Sequence, residues 1–222
     1  MRRHDLAYLS PGTAFRFACG NADPGLAGRV RAWIDGGRPL VVARQSAGSA
    51  VVALGITFPA HDGRRRVGCL VERASLRRIQ PPLPVSAGGR RLPAPIAAVL
   101  DRLDVGVSAT GAHLGLFGSL AWEALTGETY RHADSDIDVI CDLRTGDQLT
   151  ACLAALDEAD RHLPCRLDGE IRFPGGQAVA WREVAAALAD PATPVLAKGA
   201  ADVALVPLRH LLASLAARSA HA

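Results

Sequence analysis

Two aspartates spaced two residues apart, Asp136 and Asp138, carry the strongest chemical signal in this sequence. They interrupt the apolar segment 135–140, SDIDVI. Alternate side chains of an extended strand share one face, so both carboxylates point the same way. Two negative charges this close repel each other unless a cation lies between them, and Mg²⁺ prefers one or two carboxylates together with substrate phosphate oxygens. The pair therefore predicts Mg²⁺-assisted phosphate chemistry, with Asp136 and Asp138 as candidate metal ligands.

A Gly-Ser dipeptide, Gly118-Ser119, lies between a predicted strand at 114–117 and a predicted helix at 120–125. A glycine after a strand lets the backbone approach a phosphate, and the N-terminus of the following helix offers N–H groups and a favourable dipole. Gly118 and Ser119 are therefore candidate phosphate-binding residues. The alternative for Ser119 is that its hydroxyl only caps the helix.

A metal pair of this kind needs a third carboxylate from a neighbouring strand, as a metal ligand or a general base. Asp168 and Glu170 are the candidates, and they share strand parity, so either side chain can face the site. The sequence leaves the choice open, because Asp168-Gly169 also has the composition of a hairpin turn.

Lys198 is the only lysine of the chain and lies in the late segment 195–198, VLAK. Its ammonium is a candidate phosphate ligand, because a compact cation matches a phosphate as a point charge. The alternative is an ordinary solvated lysine on the surface.

The elements that position these residues predict an α+β protein. β-Branched runs and a short helix indicate a small β-rich N-terminal domain over 1–80. Closely spaced prolines and glycines predict an irregular linker over 81–95. Residues 96–222 alternate strands and helices with hairpin signals, which predicts an α+β catalytic domain on a small mixed sheet.

The individual elements follow from periodicity and from start and stop signals. In the N-terminal domain, strands are predicted at 39–44, 50–56 and 66–71, and a helix at 28–34. In the catalytic domain, further strands are predicted at 137–143, 165–172 and 178–181, and helices at 96–103, 183–189 and 208–218. Thr145 and Gln148 have the spacing of a capping box before another helix.

Composition excludes several classes of protein. With 49% hydrophobic and 21% charged residues, the 222-residue chain resembles an ordinary globular protein. No apolar run approaches the roughly 18 residues that span a bilayer, so we expect no membrane partner. The N-terminus lacks the apolar core of a signal peptide. Five cysteines without a CxxC pair argue against a disulfide framework or a zinc site and favour a cytoplasmic location.

The charge of the chain is unevenly distributed. Residues 1–91 contain 15 arginines and five acidic residues, a net charge of +10, whereas residues 92–222 contain 10 basic and 17 acidic residues, a net charge of −7. This polarity is compatible with a carboxylate-rich catalytic part beside a part that receives an anionic partner. The alternative is that the arginines are solvated surface residues.

Residues 117–127, FGSLAWEALTG, followed by 135–138, SDID, resemble the phosphoribosyl-dephospho-CoA transferases of malonate decarboxylase, also called its holo-acyl-carrier-protein synthases. These enzymes belong to the nucleotidyltransferase superfamily, and the interval of 16 residues between Ser119 and Asp136 is longer than in its commonest members. Three further segments agree with the resemblance: 3–6, RHDL; 168–170 with 178–183, DGE and AVAWRE; and 195–198, VLAK.

The resemblance implies transfer of phosphoribosyl-dephospho-CoA from triphosphoribosyl-dephospho-CoA to a serine of the apo acyl-carrier subunit of malonate decarboxylase, with release of pyrophosphate. It implies Mg²⁺ as cofactor, Asp136 and Asp138 as the catalytic carboxylates, and the carrier subunit as partner, with no nucleic acid. Asp168 or Glu170 would accept the serine proton, and Gly118 with Ser119 would hold the pyrophosphate. The arginine-rich N-terminal part would receive the carrier, since carrier proteins are commonly acidic.

Three other readings remain open at this point. One is an ATP-dependent nucleotidyltransferase that acts on a small alcohol or on another protein. A second is the equivalent enzyme that modifies the carrier subunit of citrate lyase. The third is an inactive nucleotidyltransferase-like module that only binds a ligand, which the retained Asp136 and Asp138 disfavour.

Overall fold

The computed structural model describes residues 1–20 and 24–216. It divides into two compact units, each built on its own sheet. Unit 1 comprises Met1–Pro82 together with Leu125–Tyr130, and unit 2 comprises Leu83–Ala124 and the described chain from Arg131 onward. The predicted α+β class with a smaller β-rich N-terminal part is confirmed.

In its described residues, unit 1 is a six-stranded sheet with one long helix. Its elements are β1 (Leu6–Leu9), β2 (Arg16–Phe17), α1 (Pro24–Asp35), β3 (Leu40–Val42), β4 (Val51–Thr57), β5 (Arg66–Glu72) and β6 (Leu76–Gln80). The strand order is β2-β5-β4-β3-β1-β6, with antiparallel pairing throughout the described residues. The three strands predicted from β-branched runs correspond to β3, β4 and β5.

Strict alternation of burial explains why unit 1 forms a sheet. In β4, Val52, Leu54 and Ile56 are buried while the residues between them are half-buried. A strand with this period buries one face against a core and leaves the other toward solvent. Helix α1 is followed by Gly37, whose φ of 69° is the left-handed conformation that terminates helices.

Unit 2 contains a seven-stranded mixed sheet. Its elements are β7 (Leu83–Pro84), α2 (Val85–Gly89), α3 (Ala94–Ser108), β8 (His113–Phe117), α4 (Gly118–Thr126), β9 (Ile137–Asp142), α5 (Gly146–His162), β10 (Leu167–Arg172), β11 (Ala178–Ala180), α6 (Trp181–Ala187), β12 (Pro194–Lys198), β13 (Val203–Pro207) and α7 (Leu208–Leu212). The strand order is β13-β12-β11-β10-β9-β8-β7. In the described part of this sheet, β9 and β10 run parallel and the other neighbouring strands antiparallel.

The two faces of the unit 2 sheet differ in chemistry. One face contributes Leu116, Val139 and Ile171 to a continuous core with buried residues of α3, α5 and α6. The other face carries charged side chains from β9 and β10. Since the residues in a strand alternate between faces, the apolar and charged sets must interleave along each strand. The helices therefore cover the apolar face, and the carboxylates lie on the opposite one.

The prediction of an irregular linker over 81–95 is wrong, because β7, α2 and the start of α3 lie within it. Pro84 lies in the edge strand β7 and precedes α2, while Pro93 precedes α3 and Pro95 lies in its first turn. At these positions the N–H group that proline lacks has no obligatory partner. The prolines therefore start elements, and unit 2 begins at Leu83 instead of residue 96.

Two other boundaries differ from the predictions. Residues Leu125–Tyr130, predicted within the catalytic domain, group with unit 1. The helix predicted over 208–218 ends at Leu212, and positions 217 and 218 of that prediction lie outside the described residues. No helix in 1–20 or 24–216 is long and apolar enough to cross a bilayer.

The capping box predicted at the start of α5 is present. The Gln148 N–H donates to Thr145 Oγ1 at 3.2 Å, and the Thr145 N–H donates to Gln148 Oε1 at 3.2 Å. One apolar stripe of the helix faces the core, since Leu149, Cys152 and Leu156 are buried. Helix α5 is thus fixed at its first turn and along its length against the sheet.

Replacing Thr145 by Ala removes one half of the capping box, so we expect the free energy of unfolding to fall by about 1 kcal/mol. Urea denaturation measures the change. Thr150→Ala is the matched control, because the Thr150 side chain is exposed on the same helix and donates only to the Gly146 carbonyl at 3.1 Å. Equal losses for the two variants would contradict the capping role.

Candidate functional site

The register of β9 and β10 brings two of the predicted carboxylates together. Asp138 pairs directly with Asp168 in this parallel pair, so both side chains lie on the same face. Asp136 lies two residues before Asp138, just before β9 begins, and keeps its parity. Asp168 lies inside β10 and not in a hairpin turn, so the turn alternative for Asp168-Gly169 is wrong.

Gly118 lies directly against the Asp138 carboxylate. Phe117 pairs with Asp138 across β8 and β9, and Gly118 follows with a φ of 69°. A Cβ added to Gly118 would lie 1.8 Å from Asp138 Oδ2 and 2.5 Å from its Cγ. A side chain is therefore excluded twice, by the left-handed backbone and by the carboxylate. The sequence predicts a glycine whose backbone a phosphate can approach. The structure shows that the missing side chain also leaves space for the Asp138 carboxylate.

Helix α4 begins beside this carboxylate. Its first two residues are Gly118 and the half-buried Ser119, so the first turn starts where Asp138 approaches the backbone. Helices leave the N–H groups of their first turn without intrahelical partners, and such groups favour anions. The site thus combines carboxylates suited to a metal ion with backbone donors suited to a phosphate.

Lys198 reaches Glu170 from two strands away. Its Nζ lies 2.9 Å from Glu170 Oε1, and the Glu170 side chain is buried while that of Lys198 is partly exposed. An ammonium this close satisfies a carboxylate that is removed from solvent. The structure therefore brings Lys198 to the predicted carboxylate Glu170, on the same face as Asp168.

Asp168 and Glu170 consequently differ in their surroundings. The Asp168 side chain is 41% exposed, and the guanidinium of the exposed Arg166 lies 3.5 Å from its Oδ1. Glu170 pairs with Ile140 in the register, one step further along the strand, and is held by Lys198. The more accessible carboxylate is thus also the one opposite Asp138.

Sequence reasoning missed the ion pair between Asp142 and Arg172 on this face. The buried Arg172 donates through Nε and Nη2 to the Asp142 carboxylate, with Nη2–Oδ2 at 2.9 Å. The two residues pair in the parallel register, and His113 Nδ1 lies 4.0 Å from Asp142 Oδ2. The sequence contained one indication of this pair. Asp142 lies an even number of residues after Asp136 and Asp138, so its side chain is expected on the same face of the strand.

Cys165 was also missed as a neighbour of Asp136. Burial raises the pKa of the Cys165 thiol, and the negative charge of Asp136 raises this pKa further, while Arg131 opposes the shift. Cys165 precedes β10 and Asp136 precedes β9, so their proximity follows from the parallel alignment of the two strands. The thiol therefore reports on the charge of Asp136.

The residues fit a magnesium site that is completed by substrate. Within residues 1–20 and 24–216, no group of three or more His, Cys, Asp or Glu side chains is arranged to hold a metal ion. Mg²⁺ is commonly held by one or two carboxylates, with phosphate oxygens and water supplying the other ligands. Asp136 and Asp138 match that donor set, whereas an all-protein cage is not available in the described chain.

Gly118→Ala should impair the site more than the fold. The added Cβ must displace the Asp138 carboxylate, and a shift of about 1 Å at a catalytic group typically lowers turnover on the order of 10²-fold. The left-handed backbone adds about 1–2 kcal/mol of destabilisation, to be measured by thermal melting. Gly146→Ala is the control, since nothing lies within 4 Å of its added Cβ. Wild-type turnover in Gly118→Ala would disprove the constraint.

Asp136→Asn should lower the pKa of Cys165, because it removes a negative charge that disfavours the thiolate. At pH 8 the thiolate fraction then rises, and alkylation of Cys165 by iodoacetamide accelerates. Mass spectrometry follows the reaction in a Cys19→Ser background, because Cys19 is the exposed cysteine. Asp134→Asn, at an exposed position of the same loop, should leave the rate unchanged. An unchanged rate in Asp136→Asn would show that the two groups are not neighbours.

Comparisons with known proteins identify the family of the chain. A family model described as phosphoribosyl-dephospho-CoA transferase MdcG C-terminal domain matches residues 84–209, and one described as the MdcG N-terminal domain matches residues 2–82. The boundary between the two models coincides with the start of unit 2 at Leu83. No solved structure matches the chain.

Curated relatives cover most of the chain. A protein named phosphoribosyl-dephospho-CoA transferase from Xanthomonas axonopodis pv. citri (strain 306) is 33% identical over 207 residues, 92% of this chain and 93% of that protein. One of the same name from Bradyrhizobium diazoefficiens is 31% identical over 183 residues, 82% of this chain and 81% of that protein. The chain therefore belongs to the MdcG family of phosphoribosyl-dephospho-CoA transferases and is an enzyme of that class.

Proposed function

We propose that this enzyme transfers phosphoribosyl-dephospho-CoA from triphosphoribosyl-dephospho-CoA to a serine of the apo acyl-carrier subunit of malonate decarboxylase. Pyrophosphate is the second product. The observation that carries the proposal is the contact of Gly118 with the Asp138 carboxylate, opposite Asp168, at the start of a helix. This arrangement suits a triphosphate donor and a hydroxyl nucleophile. The name of the family supports the dephospho-CoA part of the donor.

Asp136 and Asp138 would hold Mg²⁺ together with the donor's triphosphate. The ion, when bound, neutralises phosphate charge and stabilises the charge that develops in an in-line displacement. The N–H groups of the first turn of α4 and the Ser119 hydroxyl would then hold the leaving pyrophosphate. Gly118 permits this because its backbone lies close to the carboxylates without a side chain between them.

Asp168 is the proposed general base. The serine Oγ attacks the α-phosphorus, the bond from this phosphorus to the pyrophosphate oxygen breaks, and the serine proton passes to the Asp168 carboxylate. Partial exposure makes Asp168 accessible to an incoming protein side chain. Glu170 is less suited to the role, because it is buried and its carboxylate is held by Lys198.

Lys198 would attract a phosphate group of the donor through the positive charge of its ammonium. Its ammonium neutralises Glu170 and, being partly exposed, adds positive potential beside the carboxylates. The acceptor would be steered by a separate feature, the net charge of +10 in residues 1–91. Complementary charge between an acidic carrier and an arginine-rich surface chiefly raises the rate of encounter.

The proposal is tested by incubating the enzyme with triphosphoribosyl-dephospho-CoA, Mg²⁺ and the apo carrier subunit of malonate decarboxylase. We expect the intact mass of the carrier to rise by one phosphoribosyl-dephospho-CoA. A gain in mass only with ATP would identify an ATP-dependent nucleotidyltransferase, and a gain only on the carrier of citrate lyase would reassign the acceptor. No transfer to any of these would favour a binding module.

Variants of the carboxylates, measured in the same transfer assay, test the role of each side chain. Asp136→Asn and Asp138→Asn should abolish transfer, and Asp168→Asn should slow it roughly 10²–10⁴-fold, the contribution of a general base. Glu170→Gln is the matched control for Asp168, because it changes a carboxylate of the same strand and face. A larger loss in Glu170→Gln than in Asp168→Asn, with both variants folded, would assign the base to Glu170.

A further inference from the structure

An exposed apolar patch lies on one face of the β12–β13 hairpin. It consists of Leu196, Val203 and Leu205, named here the apolar strip, and the Leu205 side chain is 69% exposed. Leu196 pairs directly with Leu205, so their side chains lie side by side. Adjacent exposed apolar side chains are unfavourable in water, and such patches commonly mark binding surfaces.

The apolar strip lies on the same face of the sheet as the carboxylates. Glu170 pairs with Ala180 in β10 and β11, and Ala178 pairs with Lys198 in β11 and β12. Lys198 in turn pairs with Val203 in β12 and β13. Directly paired residues share a face, and so do residues two apart in one strand. The face is therefore continuous from Asp168 to Leu205.

The spacing of the strands sets the distances along this face. β12 is the third strand from β9, and β13 is the fourth. At about 4.8 Å per strand, the backbone of β12 lies on the order of 14 Å from the strand of Asp138, and the apolar strip extends to about 19 Å. The Lys198 ammonium lies between them, because it reaches back from β12 to Glu170 on β10. A ligand whose reacting phosphate is at Asp138 must therefore be long to reach Leu205, with an anionic group suited to Lys198 on the way.

The proposed donor has this order of chemical groups. Its triphosphate is followed by ribose and adenosine, then by the 5′-diphosphate, and last by the pantetheine arm with its dimethyl carbon and two amides. β13 is also an edge strand of the described sheet, and edge strands offer backbone N–H and C=O groups to amides. We infer that the apolar strip binds the pantetheine arm of the donor, with Lys198 near the diphosphate; this inference rests on the proposed function.

The size of the apolar strip disfavours a second copy of the chain as its occupant. Three side chains bury far less surface than the roughly 1,200 Å² of a stable interface. An arm one chain wide needs only a narrow strip beside a cation, which the hairpin supplies. The strip is therefore matched to an extended ligand of mixed polarity.

The test compares dephospho-CoA with ADP, which is the same molecule without the arm, by calorimetry. Leu205→Ser should weaken dephospho-CoA binding roughly tenfold, the scale of losing a buried leucine side chain, and leave ADP binding within about twofold. Val105→Ser is the matched control, because Val105 is 70% exposed on α3 and should change neither. Both changed residues are exposed, so thermal melting should show folded proteins.

Each other outcome overturns the inference. If Leu205→Ser binds dephospho-CoA with unchanged affinity, or loses as much affinity for ADP, the apolar strip does not bind the pantetheine arm. A change from dimer to monomer in sedimentation would assign the apolar strip to a second copy, and a raised KM for the carrier alone would assign it to the acceptor. If the wild-type enzyme transfers the prosthetic group and Leu205→Ser binds dephospho-CoA with unchanged affinity, only the proposed role of the apolar strip is refuted. Failure of the wild type to transfer or to bind dephospho-CoA refutes the proposed function itself.

Discussion

The parallel pairing of β9 with β10 is the constraint on which the rest of unit 2 depends. It places Asp138 opposite Asp168 at one end and Asp142 opposite Arg172 at the other. The Asp142–Arg172 pair is buried on its arginine side, and losing one partner of such a pair typically costs about 3–5 kcal/mol. A slip of one residue by either strand would turn the carboxylates of that strand into the apolar core. The ion pair at one end thus fixes the register that brings Asp138 and Asp168 together at the other.

The surroundings of the carboxylates on this face differ with the burial of the side chains. Where the sheet is buried, two carboxylates have a cation at close range, in the pairs of Arg172 with Asp142 and Lys198 with Glu170. Toward the start of β9, Asp138 packs against the backbone of Gly118, and the more exposed Asp168 lies 3.5 Å from the guanidinium of Arg166. An ion pair in the interior stabilises geometry, whereas the carboxylates closer to solvent are the ones that we propose to act on a metal ion and a triphosphate. The same residue type therefore has different surroundings within one strand pair.

Sequence parity alone predicted which carboxylates of the candidate site share a face, because the side-chain period puts Asp136 with Asp138 and Asp168 with Glu170. Parity cannot choose between Asp168 and Glu170, since that choice requires the register of two strands separated by helix α5. The contact of Lys198 with Glu170 depends on pairing across β11, which no local pattern encodes. The mistaken linker has a local cause: the same prolines that break an element in its middle can begin one at its edge, as Pro84 and Pro93 do.

The contact between Gly118 and Asp138 couples two positions that are far apart in the sequence. An added Cβ would meet the Asp138 side chain from its Cβ to its Oδ2, so the demand for space at position 118 comes from any side chain of this size at position 138. The left-handed backbone at position 118 is a second demand, which does not depend on position 138. A descendant of this protein that loses the aspartate is therefore released from the first demand alone, and we expect position 138 to change in evolution before position 118 does.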